Sequence, residues 1–304
     1  MIRHLFLFAA ISTGFAAIST GAFAQGTDFS KIEIKTARLG ANLSILEGSG
    51  GAIGILAGPD GVFMVDSQFA PLSAKIAAAV KQITDKPIRF MVNTHVHGDH
   101  TGGDENFGKM GVTIIARDEL RFRLAHPAPG ANGQPGVPMA PVGLPMITYR
   151  GQMTMHMNGE DVQLFAVPFA HTDGDTLVYF PAEDVLMTGD YFRSVGYPNI
   201  DLGNGGSMRG MIDGLGFTIG KCGANTKVVP GHGPITDRSG IAAHRDMMIA
   251  IRDQVAELVK QGKSNAEVLA AHPTADYDAR VPDSKTTSDR FVNQLYAELK
   301  AGKN

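Results

Sequence analysis

Three histidines and an aspartate occur within six consecutive positions, in the motif His95-x-His97-x-Asp99-His100. Imidazole nitrogens and carboxylate oxygens are the ligands that zinc and its neighbouring metals prefer in proteins. In an extended backbone His95, His97 and Asp99 project to one side, because side chains along a strand alternate between its faces. A turn at the intervening glycine would instead bring His100 to the same cleft. Either backbone therefore predicts a metal site.

Runs of histidine also occur as surface patches in tags and linkers, which is the alternative reading. Such low-complexity tracts lack an apolar segment like Ile88–Val92, which precedes this motif and is typical of a strand. Three further candidate ligands also follow apolar segments: His171 after Leu164–Pro168, Asp190 after Val185–Met187, and His232 after Lys227–Pro230. Each alone fits a capping or turn residue. Together they repeat one arrangement, in which reactive groups lie on loops held by a rigid scaffold.

The order and spacing of these residues resemble the metallo-β-lactamase superfamily. The matching motifs are the His95–His100 segment, His171, Thr188-Gly189-Asp190 and Gly231-His232-Gly233, and the resemblance extends over nearly all of the chain after its leader. The resemblance implies an α/β fold, a four-layer αβ/βα sandwich, with two zinc ions per subunit in a shallow cleft at its edge.

The resemblance also implies how the ions share their ligands. His95, His97 and His171 would hold one ion, Asp99, His100 and His232 the other, and Asp190 would bridge the two. Asp66 follows the apolar segment Val62–Val65 and resembles the acidic residue that the family places behind the metal loop. It would support a ligand and bind no ion itself.

Length and composition agree with this fold. The chain has 304 residues, of which 43% are hydrophobic and 37 are glycine, which suits one large α/β domain or two small ones. No second core is evident. The net charge of −3 gives no basis for expecting nucleic-acid binding, which usually shows as a basic excess. The expected partner is a small molecule with a hydrolysable carbonyl.

Residues 1–24 are interpreted as a signal peptide. A short basic start precedes the apolar segment Leu5–Ile18, and Ala22-Phe23-Ala24 is a small-x-small cleavage site. An N-terminal membrane anchor is the alternative, but polar residues and glycines interrupt the apolar segment. We therefore expect residues 25–304 to form the mature metallo-β-lactamase-fold hydrolase domain, periplasmic or secreted and without a membrane span. Cys222 is the only cysteine, so no intrachain disulfide can form.

Periodicity and turn residues predict the elements that position these groups. In the first half we expect strands at Ile32–Ala37, Leu43–Glu47, Ile53–Ala57, Val62–Val65, Ile88–Val92 and Val112–Ala116, and helices at Pro71–Ile83 and Arg117–Leu124. In the second half we expect strands at Thr154–Met157, Asp161–Val167, Thr176–Phe180 and Val185–Met187, and helices at Gly210–Ile219, Ser239–Gln261 and Ser288–Lys300. The proline- and glycine-rich segment 126–145 is either a surface insertion or a substrate-facing lid.

A two-zinc cleft predicts hydrolysis. Zinc lowers the pKa of a bound water from 15.7 to about 7, so hydroxide can attack a carbonyl without a serine or cysteine nucleophile. Asp99 would orient that hydroxide. Asp66 or the turn Thr172–Asp175 would fix the second nitrogen of a ligating histidine. Arg193, three positions after Asp190, lies near where several β-lactamases of the superfamily carry a basic residue that pairs with the substrate carboxylate; the alternative is a solvated arginine.

The first substrate expectation is a β-lactam amide, and with it a role in antibiotic resistance, because β-lactams act in the periplasm and Arg193 suits their carboxylate. With an aspartate at the bridging position, Asp190, the chain resembles glyoxalase II, lactonases and many secreted hydrolases more than the common β-lactamases, which usually lack one there. A lactone, ester or thioester is therefore the main alternative. A mononuclear iron enzyme that oxygenates persulfides and a non-catalytic metal-binding protein are further alternatives.

Overall fold

The computed structural model describes residues 27–129 and 133–302, so the expected signal peptide lies outside the described residues. A first sheet contains seven strands in sequential order. They are β1 (Lys35–Arg38), β2 (Leu43–Glu47), β3 (Ile53–Gly58), β4 (Gly61–Val65), β5 (Ile88–Val92), β6 (Thr113–Arg117) and β7 (Ile147–Tyr149). The pairs from β1 to β4 are antiparallel and those from β4 to β7 are parallel.

A second sheet of five strands has the order β12-β11-β10-β9-β8. Its strands are β8 (Gln152–Met157), β9 (Glu160–Val167), β10 (Asp175–Phe180), β11 (Val185–Met187) and β12 (Lys227–Val229). Only the pair between β11 and β12 is parallel among the strands described for this sheet. Neighbouring parallel strands end at the same edge of their sheet. This holds for β4 and β5 in the first sheet and for β11 and β12 in the second.

The α-helices of the described chain vary from single turns to long amphipathic helices. They are α1 (Ser73–Ile83), α2 (Gly98–Thr101), α3 (Asp104–Lys109), α4 (Asp118–Ala125), α5 (Met208–Lys221), α6 (Arg238–Lys260), α7 (Asn265–Ala270), α8 (Ala275–Asp278) and α9 (Ser284–Lys300). Within residues 27–129 and 133–302, none of these helices combines the length and apolar character that crossing a membrane requires.

The structure has four layers, in the order helices, sheet, sheet, helices, and the hydrophobic core fills the three spaces between them. Side chains of both sheets form the central layer, where the rings of Phe63 and Phe180 meet edge to face at 6.3 Å. Side chains of α1 and α3 pack on the outer face of the first sheet. Side chains of α5, α6 and α9 pack on the outer face of the second sheet, and they include Met247 and Met248. The expected αβ/βα sandwich is confirmed.

Most expected elements are present with ends shifted by a few residues. The helices α3, α7 and α8 and the strand β7 were not expected, because each has at most six residues and shows no full period of apolar positions. The helix α9 begins at Ser284, four residues before the expected start, because its first turn is polar and carries no apolar stripe.

The described residues of the segment 126–145, which are 126–129 and 133–145, are irregular apart from a 3-10 turn at Pro141–Gly143. Met139 and Leu144 pack against the small cluster of Ala116, Leu120 and Leu124, and so does Val96, the residue between His95 and His97. The later part of the segment and the His95–His100 motif therefore rest on the same cluster. Its role as a lid remains a prediction.

Candidate metal centre

The ends of parallel strands bring the predicted ligands to one edge of the sandwich. Backbone hydrogen bonds join the loops there: Ala52 N donates to Gly231 O at 2.9 Å, across the two sheets, and Gly231 N donates to Gly189 O at 2.9 Å. His232 directly follows Gly231 and Asp190 directly follows Gly189, so these bonds place the two side chains in adjacent loops.

The metal motif turns after His97. The residues from Gly98 to Thr101 form the single-turn helix α2, and Thr101 N donates to His97 O at 2.9 Å. Of the two backbone conformations that the sequence left open, the turn at Gly98 is the one observed, and the extended strand through Asp99 is not. The turn swings His100 into the same cleft as His95 and His97.

All seven predicted ligands meet at this edge. Their ligand atoms form three groups, in each of which the atoms lie within 4.8 Å of one another: His95, His97 and His171; His95, His100 and Asp190; and Asp99, His100 and His232. We refer to the first group as the three-histidine cluster and to the last as the aspartate cluster. His95 and His100 each belong to two groups, so the two clusters are contiguous.

Asp190 lies between the two clusters. Its Oδ1 is 3.3 Å from Nε2 of His100 and 3.3 Å from Nε2 of His232, while its Oδ2 is 4.0 Å from Nε2 of His171. Within the three-histidine cluster, Nδ1 of His97 and Nε2 of His171 are 2.8 Å apart. A carboxylate in this position can contact an ion in either cluster.

Two atoms of the centre show that these residues fit a metal ion. Among the described residues, Nε2 of His95 and Oδ1 of Asp190 are buried without a hydrogen-bond partner. Buried polar atoms are nearly always paired, because leaving one unpaired costs about 1–3 kcal/mol. A cation between these atoms would satisfy both of them.

Each of four histidines has its other ring nitrogen held by an acceptor. Nδ1 of His171 donates to Asn199 O at 2.6 Å, and Nε2 of His97 lies 2.7 Å from Oδ2 of Asp201. The remaining pairs are His100 Nδ1 with Asp66 Oδ2 at 2.7 Å and His95 Nδ1 with Thr94 Oγ1 at 3.1 Å. Such contacts fix the tautomer and orientation of a metal-binding imidazole.

Asp66 therefore lies where it was expected, behind the metal loop. Of the two alternatives for fixing a ring nitrogen, Asp66 is the one observed, because among the described residues the side chains of the turn Thr172–Asp175 bind other groups. Asp175 accepts from the backbone N–H and hydroxyl of Thr172, and Asp173 accepts from Arg123. Asn199 and Asp201 are instead the acceptors for the ring nitrogens of His171 and His97. Neither was predicted from the sequence, because they lie in an irregular segment and Asn199 contacts His171 only through its backbone oxygen.

The electrostatics of the centre favour ionised carboxylates and a mixture of charged and neutral imidazoles. Burial lowers the pKa of His95 well below the ordinary value, and burial lowers the pKa of His171 to about 4, with His97 adding to the effect. Burial opposes a charge on His97 too, yet the hydrogen bond to Asp201 raises its pKa. The pKa of Asp190 is well below its usual range despite burial, because His232 and Arg193 lie beside it. Asp190 is therefore available as a ligand at neutral pH.

Two arginines lie beside Asp190. Nη1 of Arg193 is 3.7 Å from Oδ2 of Asp190, and its side chain is 22% exposed, so it borders the centre and is not a fully solvated residue. Arg290 on α9 donates through Nη2 to Tyr197 O at 3.1 Å. Burial and the neighbouring charge of Arg193 lower the pKa of Arg290 to about 10. Among the described residues, the Nε atoms of both arginines are buried without a hydrogen-bond partner.

A family model for the metallo-β-lactamase superfamily matches residues 47–243 of the chain. The chain belongs to the metallo-β-lactamase superfamily. The match includes every residue of the three ligand groups, from His95 to His232. Membership in this superfamily of metallo-hydrolases supports a hydrolase with a small-molecule substrate and a metal centre.

The curated sequence relatives of this chain are distant. A linear primary-alkylsulfatase from Pseudomonas sp. (strain ATCC 19151) is 24% identical over 286 residues, which cover 78% of this chain and 53% of the relative. A 2,4-dinitroanisole O-demethylase subunit alpha from Nocardioides sp. (strain JS1661) is 28% identical over 137 residues, covering 44% of this chain and 38% of the relative. The chain thus spans about half or less of the length of these curated relatives.

Solved structures share the fold. The sec-alkylsulfatase Pisa1 from Pseudomonas sp. aligns with a TM-score of 0.65 at 16% identity, covering 87% of this chain and 50% of that one. A metallo-β-lactamase from Pontibacter korlensis aligns with a TM-score of 0.57 at 18% identity, covering 71% of this chain and 99% of that one. The shared fold is that of the superfamily, and it occurs in enzymes with different substrates.

Proposed function

We propose that this superfamily member is a dinuclear zinc hydrolase that cleaves an ester bond in a small anionic substrate. The observation that carries the proposal is the set of seven donors around Asp190, in which His95 and Asp190 each present a buried atom without a hydrogen-bond partner among the described residues. His95, His97 and His171 would hold one ion and Asp99, His100 and His232 the other, with Asp190 between them. When bound, zinc supplies Lewis acidity and makes water acidic enough to give hydroxide near neutral pH.

Asp99 is the residue we assign to proton handling. Its side chain is 27% exposed, against 19% for His232 and 5% for Asp190, so it faces the open side of the cleft. Its pKa is below the usual value although burial opposes this, because His100 and His232 lie beside it. An ionised carboxylate in this position can accept a hydrogen bond from the attacking water and orient it toward the ester.

The arginines indicate an anionic substrate. Arg193 has Asp190 as its ion-pair partner, and metal ions bound to Asp190 would offset the charge of that carboxylate. The charges of Arg193 and Arg290 would then be free to attract an anion at the edge of the centre. A planar guanidinium binds sulfate or carboxylate oxygens in a fork. The match to an alkylsulfatase makes a sulfate ester the first substrate class to test, followed by carboxylic esters, thioesters and lactones.

A β-lactam amide is the second candidate. Two features favour it: the same Arg193 suits a substrate carboxylate, and solved metallo-β-lactamases share the fold. The bridging position of Asp190 favours the ester class over it, because the common β-lactamases of the superfamily lack an aspartate there.

We also propose export to the periplasm or beyond after cleavage at Ala24, which N-terminal sequencing of the protein from its native host would test.

The test is a substrate panel on the purified mature protein after its metal content has been measured. The panel contains a primary alkyl sulfate, a carboxylic ester, a thioester, a lactone and a chromogenic cephalosporin, each with zinc and with a chelator. We expect two zinc ions per chain and ester turnover that the chelator abolishes and zinc restores. Turnover of the cephalosporin alone would move the assignment to a β-lactamase.

Two further outcomes would overturn the proposal. One iron per chain with oxygen consumption on a persulfide would indicate the oxygenase alternative, and two bound zinc ions with no turnover of any substrate would indicate a binding protein.

Asp99→Asn should abolish turnover. Its matched control is Asp213→Asn, because Asp213 has a 71% exposed side chain on α5 and pairs only with Arg209 among the described ionic groups.

A further inference from the structure

The helix α9 lies outside the stretch that matches the superfamily model, which ends at residue 243. One face of this helix nevertheless binds the irregular segment 197–201, which we call the support loop. Thr287 Oγ1 accepts from Tyr197 N at 2.9 Å, and Arg290 Nη2 donates to Tyr197 O at 3.1 Å. The ring of Tyr197 also stacks on that of Phe291, with centroids 5.7 Å apart.

Gln294, one helical turn further, binds the support loop with both ends of its amide. Its Oε1 accepts from Ile200 N at 3.0 Å, and its Nε2 donates to Asn199 Oδ1 at 2.7 Å. Thr287, Arg290 and Gln294 are spaced three and four residues apart, so they share one face of α9. Seven helical residues and three extended ones both span about 10 Å, so the loop can run alongside this face of the helix from Thr287 to Gln294.

The support loop in turn holds two members of the three-histidine cluster. Asn199 O accepts from His171 Nδ1 at 2.6 Å, and Asp201 Oδ2 lies 2.7 Å from His97 Nε2. The aspartate cluster is supported elsewhere, since Asp66 on the loop after β4 holds His100. The support loop therefore contacts ligands of the three-histidine cluster, whereas the described support of His100 comes from the loop after β4.

We infer that Gln294 is a positioning residue for one of the two metal ions: through Asn199 and the support loop it sets the metal affinity of the three-histidine cluster and leaves that of the aspartate cluster unchanged. The inference rests on the proposed two-metal centre. It assigns a role at the centre to a helix that follows the residues matched by the superfamily model.

The experiment isolates each cluster before Gln294 is changed. His232→Ala weakens the aspartate cluster, so the remaining ion reports on the three-histidine cluster; His171→Ala does the reverse. Gln294→Ala is added to each background, and zinc affinity is measured by competition with a chromophoric chelator, without any activity assay. We expect Gln294→Ala to raise the Kd about 10-fold with His232→Ala and to leave it unchanged with His171→Ala, since outer contacts of metal ligands affect affinity by about 10–100-fold.

Asn293→Ala is the matched control. Asn293 is the neighbouring amide on the same helix, and its Oδ1 accepts from Asn265 Nδ2 at 2.6 Å on α7, away from the support loop. It should change neither Kd. Equal losses in both backgrounds, or a loss with Asn293→Ala as large as with Gln294→Ala, would show that α9 acts only through general stability and would overturn the inference.

A second variant covers the case in which Gln294→Ala does not fold. Asn199→Ala removes the side-chain partner of Gln294 but keeps the backbone oxygen that His171 contacts. It should weaken the three-histidine cluster in the same selective way, and an unchanged Kd would contradict the inference. Failure of the wild type to bind two ions would instead contradict the proposed function, so the two failures are distinguishable.

Discussion

Oδ2 of Asp66 lies 2.7 Å from Nδ1 of His100, and the two side chains are only 1% and 0% exposed. The other oxygen of Asp66 accepts from Thr94 N at 2.7 Å, so the carboxylate joins the ends of β4 and β5. Asp66 has a φ of 63°, a left-handed conformation that aspartate tolerates better than most residues. The backbone conformation of this loop thus directs the carboxylate of Asp66 toward Nδ1 of His100, a predicted metal ligand.

Asp66→Asn should weaken the aspartate cluster. An amide NH2 donating to Nδ1 of His100 favours the tautomer with its proton on Nε2, which is the nitrogen that faces the other ligands. We expect the Kd of one zinc ion to rise about 10- to 100-fold, as measured by chelator competition. Asp161→Asn is the control, because that aspartate holds only the exposed His156 among the described histidines. Unchanged binding of both ions would contradict the role of Asp66.

The contact of Asp66 could be predicted from the sequence, whereas those of Asn199 and Asp201 could not. Asp66 directly follows an apolar strand, and adjacent parallel strands must end at the same edge, so strand ends carry positional information. Asp201 contacts His97 across 104 positions from an irregular segment. Asn199 acts through its carbonyl, which every residue has. Four of the seven predicted ligands share one six-residue motif, and the other three follow apolar strand segments, so local patterns indicated all of them. The helix α9 was missed as part of the site because its polar face resembles any solvated helix face.

Arg193→Ala should impair binding of anionic substrates. A charge-assisted hydrogen bond contributes about 1.5–3 kcal/mol, so KM for an alkyl sulfate should rise about 10- to 100-fold, while a neutral ester should change little. The measurement is kcat and KM for a charged and a neutral ester with zinc content held equal. Arg209→Ala is the control, because Arg209 has a 74% exposed side chain on α5. An equal loss for both esters would show that Arg193 supports Asp190 and not the substrate.

Gly51→Ala should disturb His100 by direct contact. A Cβ at Gly51 would overlap the imidazole of His100, which is fully buried and held from behind by Asp66. Overpacking of this kind costs about 1–3 kcal/mol, so we expect a lower unfolding free energy and weaker binding of one zinc ion. Urea unfolding and chelator competition would measure the two effects. A fully wild-type protein would mean that the loop at Gly51 moves freely.

Gly216→Ala should raise the unfolding free energy, in contrast to the same type of substitution at Gly51. Gly216 lies inside α5, and a Cβ there would meet no atom of the described chain within 4 Å. Alanine loses less conformational freedom than glycine in a helix, so the unfolding free energy should rise by about 0.5–1 kcal/mol with zinc binding unchanged. Destabilisation on urea unfolding would contradict the open space seen at this position.

The metal-free protein should lose stability as the pH rises above 6.5. Asp66 and Asp99 raise the pKa of His100 well above 6.5 despite burial, and the neighbouring carboxylates raise the pKa of His97 and His232 in the same direction. A histidine with a raised pKa in the folded protein contributes stability that is fully present below 6.5 and is lost as the pH rises through its folded pKa. The unfolding free energy should therefore fall between pH 6.5 and 9.

Two buried carboxyls act in the same direction at the lower end of that interval. Burial raises the pKa of Asp104 well above its ordinary value and that of Asp175 to about 7. The folded protein therefore keeps protons that the unfolded chain has lost, in the case of Asp175 only up to about pH 7. His171, with its pKa lowered to about 4, changes the stability only below pH 6.5. Urea unfolding at pH 6.5, 7.5 and 8.5 with a chelator should show the decline, and zinc should reduce it, since the bound ions replace protons on the ligands. A stability that rises with pH in the chelated protein would show that the histidines of the centre are not charged in the absence of metal.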